Sequence, residues 1–359
     1  RLVGSEMCIR DSYIMGRLDK RAIFNYIRFE CPVRWVTFDD ETQLFTVTVM
    51  NHKTGEQESE EFDYVIVATG HFSTPNMPYY EGLEQFPGRV LHAHDFRDAL
   101  EFEGKDVLLV GGSYSAEDIG SQCYKYGAKT VTISQRSGTF GYEWPESIFE
   151  KPGLDRIEGN VVYFTDGSSQ PFDAIIMCTG YIFHFPFLPD ELRLETHNCL
   201  YPDNLYKGIF FQSNPKLMYL GMQDQWFTFN MFDTQAWYAR DFMMGKIELP
   251  DEATRRKDID SWLARHELLD TDEKSIDFQA SYIQDLLEAT DYPSFPVHEQ
   301  AELFKRWLQD KQADIMGFRN KSYPSAITGT MAAQLPRPWL EIKDDSLEGF
   351  MSLKFKKAS

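Results

Sequence analysis

The sequence predicts an α/β protein in which a unit of parallel strands is inserted between two halves of another domain. Three observations carry the prediction. Asp106 to Gly120 reads as strand, glycine turn and helix start. Thr130 to Ser134 then reads as a second strand, running into Gln135-Arg136-Ser137. On either side lie two apolar strands that end in Thr-Gly, Val65 to Gly70 and Ile175 to Gly180.

The central stretch comes first. Val107 to Val110 form a short apolar run suited to a buried parallel strand. Gly111 and Gly112 permit a turn tight enough for the backbone to approach a ligand. Ser115 onward is helix-competent, with Glu117 and Asp118 complementing the positive end of the helix dipole. Such a strand, turn and helix N-terminus form a pyrophosphate cradle, where free backbone N–H groups meet negative charge. The pattern is Gly-x-Ser-x-x-Ala, a variant of Gly-x-Gly-x-x-Gly. After the next strand, an acid would suit the ribose hydroxyl of NAD, whereas Arg136 with Ser137 suits the 2′-phosphate of NADP. The same residues also fit a structural βαβ unit without a ligand.

Taken in order, Tyr13 to Phe29 reads as a helix, with Ile14, Leu18 and Ala22 on one face. Leu44 to Met50 alternates as a strand, Asn51 to Glu58 is a polar turn, and Phe62 to Ala68 is an apolar strand ending at Thr69-Gly70. A glycine after a buried strand lets the chain leave the sheet and lie against a cofactor. Ser73 to Tyr80, with two prolines, is a loop, and Phe86 to Phe96 leads into the central unit. His92 and His94, two apart on a strand, face one side as a metal pair lacking a third ligand, or His92 braces a turn between domains. Asp166 to Ser169 is a turn before the strand Ala174 to Cys178. Beyond Asn214 the chain is aromatic-rich; Gln235 to Met244 reads as a helix and Glu248 to Lys274 as exposed helices, before a tail ending Lys354 to Ser359. Two Thr-Gly strands flanking a dinucleotide unit is the arrangement of two-dinucleotide flavoproteins.

Composition narrows the function classes. At 359 residues the chain holds two domains, and its net charge of −20 disfavours nucleic acid and anionic membrane surfaces. The five cysteines form no Cys-x-x-Cys pair, which argues against a dithiol reductase, a structural zinc site or a disulfide scaffold and points to a reducing cytoplasm. No apolar run approaches the roughly 18 residues needed to span a bilayer. Arg1 to Ser12 lack the apolar core of a signal peptide.

Phe86-Pro-Gly88-Arg-Val-Leu-His92-Ala-His-Asp-Phe96 matches Phe-x-Gly-x-x-x-His-x-x-x-Phe. With Cys178-Thr-Gly-Tyr181 it resembles the motifs of flavin-containing monooxygenases. Val110 to Gly120, Gly221-Met-Gln-Asp-Gln-Trp226 and Asn230 to Arg240 resemble the bacterial branch that oxygenates trimethylamine. The resemblance runs from Tyr13 to about the chain end. It implies a two-dinucleotide-binding-domain flavoprotein: a Rossmann-like NADP domain at 99–172, inserted in an FAD domain at 13–98 and 173–359, the latter including a C-terminal helical region. Residues 1–12 match nothing in the family and resemble a translated adapter scar. On that reading the FAD domain is incomplete, since the family's opening Gly-x-Gly-x-x-Gly turn and an active-site asparagine near the flavin have no counterpart here.

By resemblance, NADPH reduces FAD, dioxygen adds to give a hydroperoxyflavin, and a small nucleophile such as a tertiary amine takes the distal oxygen. Trimethylamine would yield its N-oxide; small sulfides are the alternative substrates. The resemblance places Gly111, Ser113, Tyr114 and Ser115 at NADP, Arg136 and Ser137 at its 2′-phosphate, and Val33 at the FAD adenine through its backbone. Gln225 and Thr228 would line the flavin ring, with Thr69 and Gly70 beside a cofactor. Tyr114 and Asp224 are the candidate catalytic residues, Asp224 orienting the nicotinamide or an ammonium substrate, and Arg319 closes over NADP. No metal is called for. Bland readings stand beside these: Tyr114 packing on the sheet, Arg319 pairing with a surface carboxylate, and Trp226, Phe227 and Phe229 forming core rather than a cage for a methylated amine. Two rival functions remain. A serine-hydrolase elbow needs Gly-x-Ser-x-Gly, and Ser115 stands at the final glycine's place. The other rival binds NADP without flavin and is not catalytic. A homodimer is one assembly the sequence allows.

Overall fold

The structure, a computed structural model, describes residues 14–18, 20–21 and 23–331. Expectations for the leader at 1–12 and for the tail at 354–359 lie outside the described residues. The expected first helix is shorter than its apolar pattern: residues 14–18 and 20–21 are helical, and a single 3-10 turn at Ile23–Tyr26 ends the run.

The organising element is a five-stranded parallel sheet. Its strands are β6 (Arg89–His92), β7 (Asp106–Val110), β8 (Thr130–Ser134), β9 (Ile148–Lys151) and β13 (Ala174–Met177), in the order β6-β13-β7-β8-β9. Helix α1 (Tyr114–Lys125) crosses from β7 to β8. The unbroken apolar run in β7 reflects burial on both faces. Val107 and Leu109 pack with Ala116, Ile119 and Cys123 of α1. Leu108 and Val110 face an antiparallel meander of β10 (Leu154–Glu158), β11 (Val161–Phe164) and β12 (Ser169–Pro171), through Leu154, Ile157, Val162 and Phe164. A strand with two such faces carries no alternation, which is why its sequence reads as continuous.

Strands of a second body come from both sides of this unit in sequence. The three-residue β4 (Val65–Val67) runs parallel to β17 (Leu217–Tyr219), which extends through β16 (Phe210–Phe211) to β15 (Leu205–Tyr206). A separate meander joins β1 (Val33–Asp39), β2 (Leu44–Met50) and β3 (Gln57–Phe62). Between the bodies, the outgoing and returning chains pair as a short ribbon, β5 (Thr74–Pro75) against β14 (Tyr181–Ile182). Helices α2 (Phe229–Met243), α3 (Glu252–His266), α4 (Asp272–Glu288) and α5 (Val297–Ala313) enclose their own core, with Met231, Tyr238, Trp262, Tyr282 and Ile283 at its centre.

Four expectations need correction. The polar stretch at 51–58 is only partly a turn, because Gln57–Phe62 forms β3. All six of its residues are exposed, so no buried face imposes alternation and its pairing with β2 is a backbone matter. Phe62 to Ala68 is therefore not one strand: Phe62 closes β3, and β4 keeps only Val65–Val67. The helical stretch expected as exposed over 248–274 buries Arg255, Ile259 and Trp262 of α3, the last two in the helical core. Their apolar spacing is masked by the charged residues between. Finally, His92 ends β6 while His94 lies in a 3-10 turn, where the His92 Nδ1 accepts a hydrogen bond from the His94 N–H at 3.0 Å. The two imidazoles thus do not share a strand face; His92 braces that turn, with its ring edge-on to Tyr181 at 5.3 Å.

Candidate active site at the carboxyl end of the parallel sheet

The chain leaves β7 toward α1 and β8 on one side, while β13 lies on the other. This is the switch point at which open α/β sheets bind ligands, outside the carboxyl ends of the strands. A cleft of about 1010 Å³ opens there. Two glycines make its floor. Gly111 has φ +137°, and a Cβ on it would lie 2.1 Å from the Cys178 carbonyl oxygen on β13's exit; a Cβ on Gly112 would lie 2.1 Å from Gln135 Oε1. Ser113 is the N-cap of α1 and makes no side-chain capping bond, so the helix start borders the cleft without an internal acceptor. Ser115, Tyr114, Ser113, Arg136 and Ser137 all line it.

Arg136 is exposed, and among the described residues no carboxylate pairs with it. Tyr80, on the loop before β6, lines the cleft near that guanidinium, and burial pushes its phenol up while Arg136 draws it down. Across the cleft stands Asp224. Its loop is braced by Gln279 of α4, 1% exposed, whose Oε1 accepts from the N–H groups of Trp226 and Phe227 and whose Nε2 donates to the Asp224 carbonyl at 2.7 Å. The Tyr114 phenol is held well above its ordinary range, first by desolvation and then by the carboxylates of Asp272, Glu117 and Asp224. Cys178 also lines the cleft, but burial pushes its thiol far up and leaves it an inert packing group.

The structure therefore brings together Gly111, Ser113, Tyr114, Ser115, Arg136, Ser137 and Asp224. The other expected residues stand apart from this cleft. Val33 opens β1 opposite Val49 and is 40% exposed. Thr69 and Gly70 follow β4, both exposed, with nothing within 4 Å of a Cβ at Gly70. Gln225 folds back on the Gly221 carbonyl, and Thr228 is the N-cap of α2, again without a side-chain cap. Arg319 pairs with Asp118 of α1 at 2.6 Å, the surface carboxylate of the blander reading. Of the aromatic trio, Phe227 is fully buried against Phe304, whereas Phe229 is 45% exposed. Sequence reasoning missed Asn76, Tyr80, Phe183 and Asn198, which come from loops with no fixed spacing to the cradle. It also missed Glu117's buried partner, Lys311.

The residues present fit a dinucleotide carrying a 2′-phosphate. The cradle floor has room for backbone only, the helix start is uncapped, and the Arg136 guanidinium, with no carboxylate partner among the described residues, stands beside Ser137. A flavin's polar ring edge also finds suitable groups. His71, 3% exposed and stacked on Phe183, has neither ring nitrogen in good hydrogen-bond geometry, although the Gly221 backbone and the Asn198 side chain lie near it. The first turn of α2 holds no acidic side chain.

Comparison with known proteins bears on the family and the fold. A trimethylamine monooxygenase of Methylocella silvestris is 57% identical over 340 residues, covering 95% of this chain and 75% of that protein. The crystal structure of Tmm from Pelagibacter sp. strain HTCC7211 superposes with a TM-score of 0.90 at 46% identity, over 95% of this chain and 77% of that one. An S-allyl-L-cysteine S-oxygenase from Allium sativum, 23% identical with a TM-score of 0.73 over 86% of this chain and 72% of that one, shares the fold. The pattern described as FMO-like, flavin-binding monooxygenase-like, matches residues 9–144 and 145–313. With its cradle, its switch-point cleft and these relatives, the chain belongs to the flavin-binding monooxygenase-like family.

Proposed function

We propose that this protein is an FAD- and NADPH-dependent monooxygenase that converts trimethylamine to its N-oxide. The observation that carries the reading is the 57% identity to a trimethylamine monooxygenase, over a length that includes every cleft residue named above. The flavin, when bound, carries reducing equivalents from NADPH to dioxygen, so that one oxygen atom joins the amine nitrogen and the other leaves as water. The chain's own residues bind and orient. The uncapped start of α1, with Ser113 and Ser115, takes the NADP pyrophosphate, and Arg136 with Ser137 takes the 2′-phosphate. Tyr114 and Asp224 face the cleft from opposite elements, where the tyrosine packs on the nicotinamide side and the carboxylate orients the nicotinamide or an ammonium group.

Val33, Thr69, Gly70, Gln225 and Thr228 are assigned to FAD in this proposal, supported by the exposure of Val33, Thr69, Gly70 and Thr228 and by the uncapped start of α2. Arg319 reaches NADP only by leaving Asp118. The domain limits 13–98, 99–172 and 173–359 belong to the same proposal, with β6 and β13 joining the central sheet from just outside 99–172. The described cysteines are all free, which suits the cytoplasm, and among the described residues no helix is long and apolar enough to cross a membrane. A homodimer belongs to the same proposal and is read by sedimentation. The test is the chain joined to the part of the Methylocella silvestris relative that it does not cover, purified and given FAD, NADPH and trimethylamine. Amine-dependent NADPH oxidation with one N-oxide per NADPH is expected. NADPH oxidation indifferent to the amine but raised by a small sulfide would overturn the substrate assignment.

A further inference from the structure

Helix α5 ends against the dinucleotide cradle. Lys311, in its last turn, is 5% exposed, and its Nζ lies 2.7 Å from Glu117 Oε2 in the first turn of α1. The Tyr142 hydroxyl donates to the other Glu117 oxygen at 3.0 Å. The same ammonium stands 4.4 Å from the centroid of the Tyr114 ring, 5.5 Å from Tyr142 and 5.7 Å from Trp307. Further contacts follow the seam: Gln312 donates to the Gly141 carbonyl at 2.8 Å, and Arg319 pairs with Asp118.

A buried ion pair repays its own desolvation poorly and is often matched by apolar residues of similar shape. Stability alone therefore does not account for charges placed here. What they add is a fixed cation over the face of an aromatic ring that lines the cleft, an attraction that grows when water is excluded. Tyr114 has little else to hold it. Its ring meets Trp307 at 6.4 Å between centroids, and its hydroxyl makes no hydrogen bond among the described residues.

We propose that Lys311 is a positioning residue: its ammonium, held by Glu117, fixes the Tyr114 ring at the helix start so that the tyrosine meets bound NADP in one orientation. The role rests on the assignment of the cleft to NADP. It joins the C-terminal helices to the cofactor site through one side chain.

The test is calorimetric titration of NADP⁺ into four proteins at fixed ionic strength, each with its thermal melt. They are the parent, Lys311→Met/Glu117→Gln, Tyr114→Leu, and the triple variant. The paired substitution removes both charges together and leaves no buried carboxylate alone. It should weaken NADP⁺ binding about 2- to 30-fold, the span of one cation–π contact from exposed to desolvated. In the Tyr114→Leu background the same pair should change nothing further. Parental affinity in the paired variant, or equal loss in both backgrounds, overturns the role. Should the paired variant melt far below the parent, Lys311→Arg replaces it: retained affinity supports the cation's role, and a loss as large as that of Tyr114→Leu overturns it. A parent that binds no NADP⁺ overturns the cleft assignment and this role with it, whereas parental binding with an unaffected variant overturns this role alone.

Discussion

Replacing Arg136 with alanine should change which nicotinamide cofactor the protein prefers. The side chain stands two residues past the end of β8, where the proposal puts the adenosine ribose of a bound dinucleotide, and its stem runs over Gly153, with Cγ 3.5 Å from where a Cβ would stand. No carboxylate competes for the guanidinium among the described residues, and Ser137 offers a hydroxyl beside it. A hydrogen bond to a charged group contributes about 1.5–3 kcal/mol. Because Arg136 is exposed, screening favours the lower end, about 1.5 kcal/mol or roughly 10-fold in NADPH affinity. NADH, lacking the phosphate, should weaken less than about 2-fold. Fluorescence titration of the parent and Arg136→Ala proteins with both cofactors, at one ionic strength, reads the two numbers. The parental NADPH advantage should also shrink as salt rises, since the contact is solvent-facing. Equal loss for both cofactors, or no loss for either, would refute the phosphate-reading role.

Three further outcomes follow from the same geometry. Gly111→Ala places a methyl 2.1 Å from a backbone oxygen at φ +137°, and should lower unfolding stability by about 2 kcal/mol or more and abolish tight NADP⁺ binding; a parental urea midpoint would contradict the clash. In the chain joined to its relative's remaining part, Tyr114→Phe keeps the ring under Lys311 and loses only the hydroxyl, so more NADPH should be spent on peroxide per N-oxide formed, while unchanged coupling would mean that the ring alone matters. His71 is held below its ordinary pKa, chiefly by burial, so the unfolded chain binds its proton first as the medium is acidified. Stability should accordingly be full above about pH 6.5 and fall below it, by up to about 1.4 kcal/mol per pH unit, until the folded imidazole also titrates. Urea melts of His71→Phe should show a shallower acid slope, not an absent one, because burial lowers His92 and His266 as well; an unchanged slope would remove His71 from the account.

Much of the nucleotide unit was legible because its physics is local. The β7 run, the glycine turn and the β8 strand follow one another within 29 residues, and the turn needs glycine wherever the chain ends up. Boundaries were less legible. Helix α2 begins at Phe229 rather than Gln235: Thr228 stands at its N-cap without a side-chain capping bond, and its first turn holds no acidic side chain to mark the start. Strand β3 escaped notice because both its faces meet water.

The sequence by itself determined the cradle, the arginine just after β8, the Thr-Gly exits and the family, for each depends on residues close in the chain or on motifs of fixed spacing. Tertiary structure alone decided which distant residues join them. Asp224 faces Tyr114 because Gln279, 55 residues away, holds its carbonyl. Lys311 meets Glu117 across 194 positions only because α5 docks on α1, and Arg319 meets Asp118 along the same seam. Pairing over such separations is set by how the elements pack, and local pattern carries no trace of it.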